Sequence, residues 1–235
     1  HSFGHDKAEY ISSGVEGALI FVAAAGIVIS AVPRLLNPQP LQEISLGLAL
    51  SIVASLINGA TAWILLKAGR RYQSVALKAD AHHLLTDCWS SAAVLIGVTG
   101  VAVTGYNILD PIAALVVAAY IAWTATRILH QATHGILDAS LPTPTLEKIE
   151  TLLGGYREQG LDFHALRTRQ AGRVSFIQLH VLVPGEWSVV RGHNLLEELE
   201  EKIRDLVPNA RIHTHLEPIE DPSSFEDIGL ERAPR

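Results

Sequence analysis

The run Ala79-Asp80-Ala81-His82-His83-Leu84-Leu85-Thr86-Asp87 opens a stretch that is otherwise apolar, and within it His83 and Asp87 stand four residues apart. On an α-helix, positions i and i+4 point about 40° apart in projection, so these two side chains can converge on one ion. An imidazole nitrogen with a carboxylate oxygen suits Zn²⁺ and similar first-row divalent metals. A carboxylate inside a hydrophobic span costs about 2.5–3.5 kcal/mol on insertion scales, so Asp87 needs a partner, an ion or a water-filled cavity. The plainer alternative is an ion pair or hydrogen bond between packed helices.

Two further groups have ligand chemistry. His1-Ser2-Phe3-Gly4-His5-Asp6-Lys7-Ala8-Glu9 places two histidines four apart beside acids, with Gly4 arguing against a regular helix there. The C-terminal part carries His164, His180, His193, His213 and His215, with Glu217 close behind. Same-face residues on a strand repeat every two positions, so His213, His215 and Glu217 share one face. A lone histidine is usually a surface or capping residue. Separated histidines carried by each element instead suggest a site assembled by folding or by contact between subunits.

These residues sit in a chain of two compositions. Overall the 235 residues are 49% hydrophobic and only 18% charged, with a mean hydropathy of +0.26, against about 25% charged in a soluble domain. Residues 11–137 are strongly apolar, and residues 142–235 hold most of the charge. Four stretches meet the requirement of about 20 apolar residues for crossing a bilayer: 15–32, 44–66, 83–103 and 111–129. Lys67, Arg70, Arg71 and Lys78 lie between the second and third, and no basic residue lies in 104–109. The excess of positive charge places the 67–80 loop in the cytoplasm, and the even number of spans puts both ends there. Small-residue runs such as Ala23-Ala24-Ala25-Gly26 favour close helix packing in lipid.

From Pro142 the pattern predicts a helix over 145–153, strands over 161–168 and 174–183, an amphipathic helix over 194–207 and a strand over 210–217. The order αββαβ implies a small sheet with both helices on one face. The fold class is therefore an α-helical membrane bundle plus a cytoplasmic α+β domain. The boundaries fall at 1–139 and 140–220, with 221–235 as a flexible acidic tail. A net charge of −6 argues against a nucleic-acid partner, and a single cysteine, Cys88, excludes an internal disulfide. The chain begins at His1 and contains no methionine, which is expected of part of a longer chain.

Together these strings resemble the cation diffusion facilitator family, in particular its bacterial zinc and iron efflux members. The matching segments are His-Ser-Phe-Gly-His-Asp-Lys-Ala-Glu at 1–9, Ala-Asp-x-x-His-x-x-x-Asp at 79–87, Leu-Asp-x-x-Leu-Pro at 137–142, Leu-Arg-Thr-Arg-Gln-x-Gly at 166–172 and Phe-Ile-Gln-Leu-His at 176–180. The resemblance runs from His1 to about Pro218. It implies a bundle of six helices, of which the four spans here would be the third to sixth, and a metallochaperone-like (ferredoxin-like) αββαβ domain. It implies a homodimer in the inner (plasma) membrane that exchanges a divalent cation for protons.

The resemblance also distributes the ligands. His83 and Asp87 match half of the transport site, whose other two acids belong to the family's second helix. His1 and His5 match a loop site. His164, His180, His193 and His215 match ligands of a binuclear cytoplasmic site, with Glu217 standing where close relatives have Asp. Lys7 and Asp138 match an interlocking charge pair. Zn²⁺ is the expected cargo and regulatory ligand, with Fe²⁺, Cd²⁺ and Co²⁺ also compatible with such ligands. Two other functions fit parts of the sequence. A membrane-anchored metal sensor would use the spans only as an anchor, and would have no need of Asp87 inside one. The pair His82 and Asp87 forms an H-x4-D pattern similar to a glycerolipid acyltransferase signature, but on a continuous helix these residues diverge by roughly 140°.

Overall fold

The computed structural model describes residues 1–38 and 45–226, without the side chains of 45–49. The expected start of the second span at Ile44 and the last residues of the expected tail lie outside the described residues. The chain divides into two compact units, His1–Ile136 and Leu137–Arg235.

The first unit holds four helices long and apolar enough to cross a membrane: α1 (Ala8–Leu36), α2 (Ser45–Arg71), α3 (Val75–Thr104) and α4 (Leu109–Ile136). Each is longer than its apolar stretch because local chemistry sets its ends. Ser74 caps α3 by accepting a hydrogen bond from Leu77 N at 3.3 Å. Gly105 ends it in the left-handed region at φ 75°, its N–H returning to Val101 O at 2.8 Å. Helix α3 is unbroken from Val75, so His83 and Asp87 lie well inside regular helix.

α1 packs mainly against α4, and α3 lies against α1, α2 and α4. The buried seam of Ile20, Ala24, Ala79, Ile121, Ala125 and Ile128 mixes small and branched side chains. Without a hydrophobic drive between helices in lipid, such close contact depends on dispersion and polar ties. Two ties stand at opposite ends of α1. Near its start, Glu9 Oε2 accepts from Ser74 Oγ and Val75 N, both at 3.1 Å. Near its end, Arg34 Nη1 meets Asp110 Oδ2 at 2.7 Å. Asp110 is buried, and its backbone lies so close to Gly97 that a Cβ on Gly97 would come within 2.8 Å of Asp110 Cα.

The second unit contains α5 (Thr143–Arg157), β1 (Asp162–Ala171), β2 (Val174–Val183), α6 (Val189–Leu206), β3 (Ala210–Pro218) and a 3₁₀ turn at Pro222–Phe225. The observed order is the expected αββαβ. The sheet order is β1-β2-β3, with β1 antiparallel to β2 and β2 parallel to β3 across α6. Odd-numbered β2 residues Ile177, Leu179, Val181 and Val183 pack with Ile149, Leu153, Leu199 and Ile203 of the helices. The even-numbered ones, including His180, face the opposite side. Helix α6 starts earlier than its apolar stripe because Ser188 Oγ caps it, accepting from Arg191 N. The tail expected from residue 221 begins instead with an ordered turn. Asp221 accepts from Ser223 N at 2.9 Å, and Ser224, buried, donates to Pro218 O at 2.9 Å.

On the surface of this unit Lys202 and Tyr156 both donate to Glu198, and Lys202 also donates to the Tyr156 hydroxyl, at 2.7–3.0 Å. The Lys202 and Tyr156 hydrogen bonds hold the Glu198 carboxyl below the ordinary range, and the bond to Glu198 raises the Lys202 ammonium. A lowered carboxyl stabilises the fold above its ordinary range and loses that contribution as pH falls. Full exposure keeps the effect small.

Gly97→Ala tests the helix contact. Because the nearest obstruction is backbone, α4 must shift, and overpacking of this kind costs about 1–3 kcal/mol. Thermal unfolding of the purified protein in detergent is expected to begin several degrees lower than for the parent. An unchanged transition would show that α3 and α4 do not meet at this glycine.

Candidate metal centres

In the second unit the register of the sheet does the assembling. His164 on β1 pairs with His180 on β2, and His180 pairs with His215 on β3. Directly paired residues project on the same face, so three histidines form one row across all three strands. Glu217, two residues beyond His215, points from the same face. His164 Nε2 and His180 Nδ1 lie 3.1 Å apart, and Glu217 Oε2 is 3.1 Å from the first and 3.3 Å from the second. These are the described residues whose ligand atoms group together as a metal site would require.

Glu217 Oε2 is buried and no N–H is directed at it, although two ring nitrogens are close by. A buried carboxylate oxygen in that state is costly, because its lone pairs have lost water and gained no donor. Four ligands at about 2.0–2.1 Å on a tetrahedron lie about 3.3 Å apart. The observed edges of 3.1–3.3 Å match one face of such a tetrahedron. The donor set of two imidazoles and a carboxylate therefore fits a divalent first-row ion. The other oxygen, Oε1, faces His215 Nε2 at 3.5 Å. The side chain of His215 is 64% exposed, against 9% for Glu217.

Two local features aim His164. A bulge sets Ala165 and Leu166 opposite one β2 residue, with Ala165 at φ 51°. The extra residue shifts the alternation by one, so His164 and Arg167 both lie opposite β2 residues of the open face. A left-handed φ at a residue with a Cβ is strained, and such strain collects at functional sites. Phe225, in the 3₁₀ turn, has its ring centroid 5.9 Å from that of His164.

Two further histidines of this unit stand apart from the trio. His193 lies in α6, exposed, rather than at its start. His213 is exposed on β3 beside Gln178.

In the first unit, His83 and Asp87 are both exposed on α3. Asp87 Oδ2 accepts from Asn58 Nδ2 of α2 at 3.4 Å, a long bond. His82 turns elsewhere, lining a groove toward α4, so it and Asp87 do not act together. Sequence reasoning passed over Asn58 and Glu16. Each is a polar side chain within an apolar stretch, which was the available signal. Glu16 Oε1 accepts from Ser12 Oγ at 3.3 Å, Oε2 is buried without a hydrogen bond, and its charged neighbours are Asp80 and His83.

At the N-terminus, His1 and His5 stack with ring centroids 4.7 Å apart, ahead of α1, and Gly4 between them adopts φ 88°. Lys7 and Asp138 belong to different units. Within its own unit Lys7 Nζ donates to Ile136 O at 3.2 Å, and Asp138 pairs with Arg169 at 3.3 Å.

Removing one ligand of the trio separates a metal site from a packed histidine cluster. In a background lacking His83 and Asp87, His180→Ala is expected to weaken zinc binding at least about 100-fold, read by competition with a chromogenic chelator. Gln178→Ala, on the same face of the same strand, is expected to bind like the parent. Equal affinity in the two variants would exclude the trio as a metal site.

Known proteins match the chain along nearly its whole length. The cation efflux transmembrane domain matches residues 1–137, and the cytoplasmic domain of cation efflux proteins matches residues 141–219. The uncharacterized transporter sll1263 of Synechocystis sp. is 51% identical over 226 residues, covering 96% of this chain and 73% of that protein. The cation-efflux pump FieF of Klebsiella pneumoniae is 29% identical over 225 residues, covering 95% and 73%. A solved structure of CzrB in its zinc form is 35% identical, covers 36% of this chain and 96% of that one, and has a TM-score of 0.33. With matching domains along nearly its whole length, the chain belongs to the cation efflux, or cation diffusion facilitator, family.

Proposed function

We propose that this protein exports a divalent metal cation, with Zn²⁺ as the foremost cargo, by exchange for protons. The observation that carries the proposal is Asp87. It is a carboxylate inside an apolar helix, its hydrogen bond from Asn58 is long, and His83 stands one turn away. One long amide contact does not offset the cost of a charge in hydrocarbon, whereas a bound cation does. His83 and Asp87 supply two ligands. The resemblance assigns the others to two acids of another helix.

The coupling follows from ligand chemistry. Metal binds neutral imidazole and ionised carboxylate, so loading from the cytoplasm releases protons. Once the site opens to the far side, protons there compete for the same lone pairs and displace the metal. Alternating access requires two arrangements of the helices, and a ligand shifts them only by binding one better than the other.

The cytoplasmic trio takes a regulatory role in this reading. A metal held by His164, His180 and Glu217, with Glu217 Oε1 turned to His215, gives a carboxylate that bridges two ions. His193 completes that binuclear site in the active form. Metal there stabilises a homodimer and biases the transport cycle. His1 and His5 act as a loop site on the cytoplasmic side of the inner membrane. The name of one relative, a cation-efflux pump, supports the export of a cation.

In proteoliposomes with a zinc gradient, His83→Ala combined with Asp87→Ala is expected to abolish zinc flux and the opposing proton flux together. Chelator-detected zinc binding by the cytoplasmic trio should persist. Export at the parent rate would sink the assignment of the transport site, and zinc flux without proton flux in the parent would sink the exchange.

A further inference from the structure

Outside the metal centres, the spanning unit has a groove of about 660 Å³ between α3 and α4. Its lining includes Lys78, His82, Tyr120, Trp123, Arg127 and His130, and no carboxylate. The volume lies in the range of small-molecule sites. Neither Lys78 nor Arg127 has an acid partner among the described residues. The Arg127 guanidinium lies over the Trp123 ring at 5.1 Å, which holds the cation against the wall of the groove.

The position of the groove narrows its occupant. Lys78 is in the first turn of α3, and Arg127 lies nine residues before the end of α4, about 13 Å along the axis. α3 starts and α4 finishes on the side of the basic 67–80 loop. The groove therefore opens at the depth of the cytoplasmic headgroups. Trp123 and Tyr120, 6.1 Å apart, lie about one and two turns farther into the span than Arg127, at the depth of acyl chains. Cations at the mouth, aromatic rings deeper in and lipid alongside match a phosphate ester carrying acyl chains. Basic pockets between spans on the cytoplasmic side bind anionic headgroups for this reason.

We propose that this groove binds the headgroup of an anionic phospholipid from the cytoplasmic leaflet, with Lys78 and Arg127 on its phosphate and the acyl chains along Tyr120 and Trp123. The site is separate from the metal ligands, because His82 faces the groove while Asp87 contacts Asn58 on α2. A soluble phosphate would use the same cations but not the aromatic wall.

The test is native mass spectrometry of the full chain released from mixed phosphatidylglycerol and phosphatidylcholine. The parent is expected to retain phosphatidylglycerol over phosphatidylcholine at least about tenfold. Lys78→Gln with Arg127→Gln should erase that preference, and Lys78→Arg should keep it. The comparison of two lipids on the unaltered protein needs no variant to fold. Equal retention of the two lipids by the parent would overturn the proposal. So would displacement of phosphatidylglycerol by millimolar inorganic phosphate, which would make the occupant a soluble anion, and so would a preference that survives loss of both cations.

Discussion

A hydrocarbon layer offers no water to a polar group, and that single constraint orders the spanning unit. It forces the backbone into continuous helices, and it requires every carboxylate within them to find a partner. Two of the acids have done so at the ends of α1. Glu9 holds Ser74 and the start of α3, and Asp110 holds Arg34. Both contacts also set how the helices lie, since each joins helices distant in sequence. Asp87 differs. Its hydrogen bond from Asn58 is long, and its neighbour on the helix face is an imidazole rather than a cation fixed in place. The acids that tie α1 to its neighbours are already satisfied, whereas Asp87 is under-satisfied and has room for a metal.

The cytoplasmic unit meets the same requirement by a different route. There the cost of desolvating Glu217 arises inside a small sheet, and strand register determines what stands beside it. Pairing His164 with His180 and His180 with His215 is a property of the whole sheet, fixed by which β2 residues the helices bury. A slip of one residue would turn His180 into the core and Leu179 out of it. The hydrophobic contacts of Leu179 and Val181 thereby hold the ligand row in place, although none of them touches it. The bulge at Ala165 adds the one correction the alternation could not provide.

Much of this was legible in the sequence because its physical signals are periodic. The four spans, the αββαβ order and the two-faced pattern of β2 all follow from spacing. The i,i+4 relation of His83 and Asp87 needed only an unbroken helix, which α3 supplies. What spacing could not show was anything that depends on contacts between elements. The histidine row needed the β1–β2 and β2–β3 registers. The pairing of Asp110 with Arg34 and the close approach of Gly97 needed the helix packing. Asn58 and Glu16 were visible as polar residues in apolar stretches, yet their significance came from what they face. The ordered turn at the start of the expected flexible tail was not legible, because composition is blind to a cap such as Asp221 on Ser223.

The two proposed metal centres have different physical demands, and their ligands are held differently. A transport ligand must release its ion, so it benefits from a carboxylate that is costly when empty and easily protonated by the far side. A regulatory site must report concentration, so it benefits from ligands already held at the edges of a coordination tetrahedron. His83 and Asp87, on one helix with a weak neighbour, have the first character. His164, His180 and Glu217, drawn from three strands and locked by a hydrophobic core, have the second. The exposed His215, at the end of the same row, faces Glu217 Oε1, the side on which a second ion of the proposed binuclear site would sit.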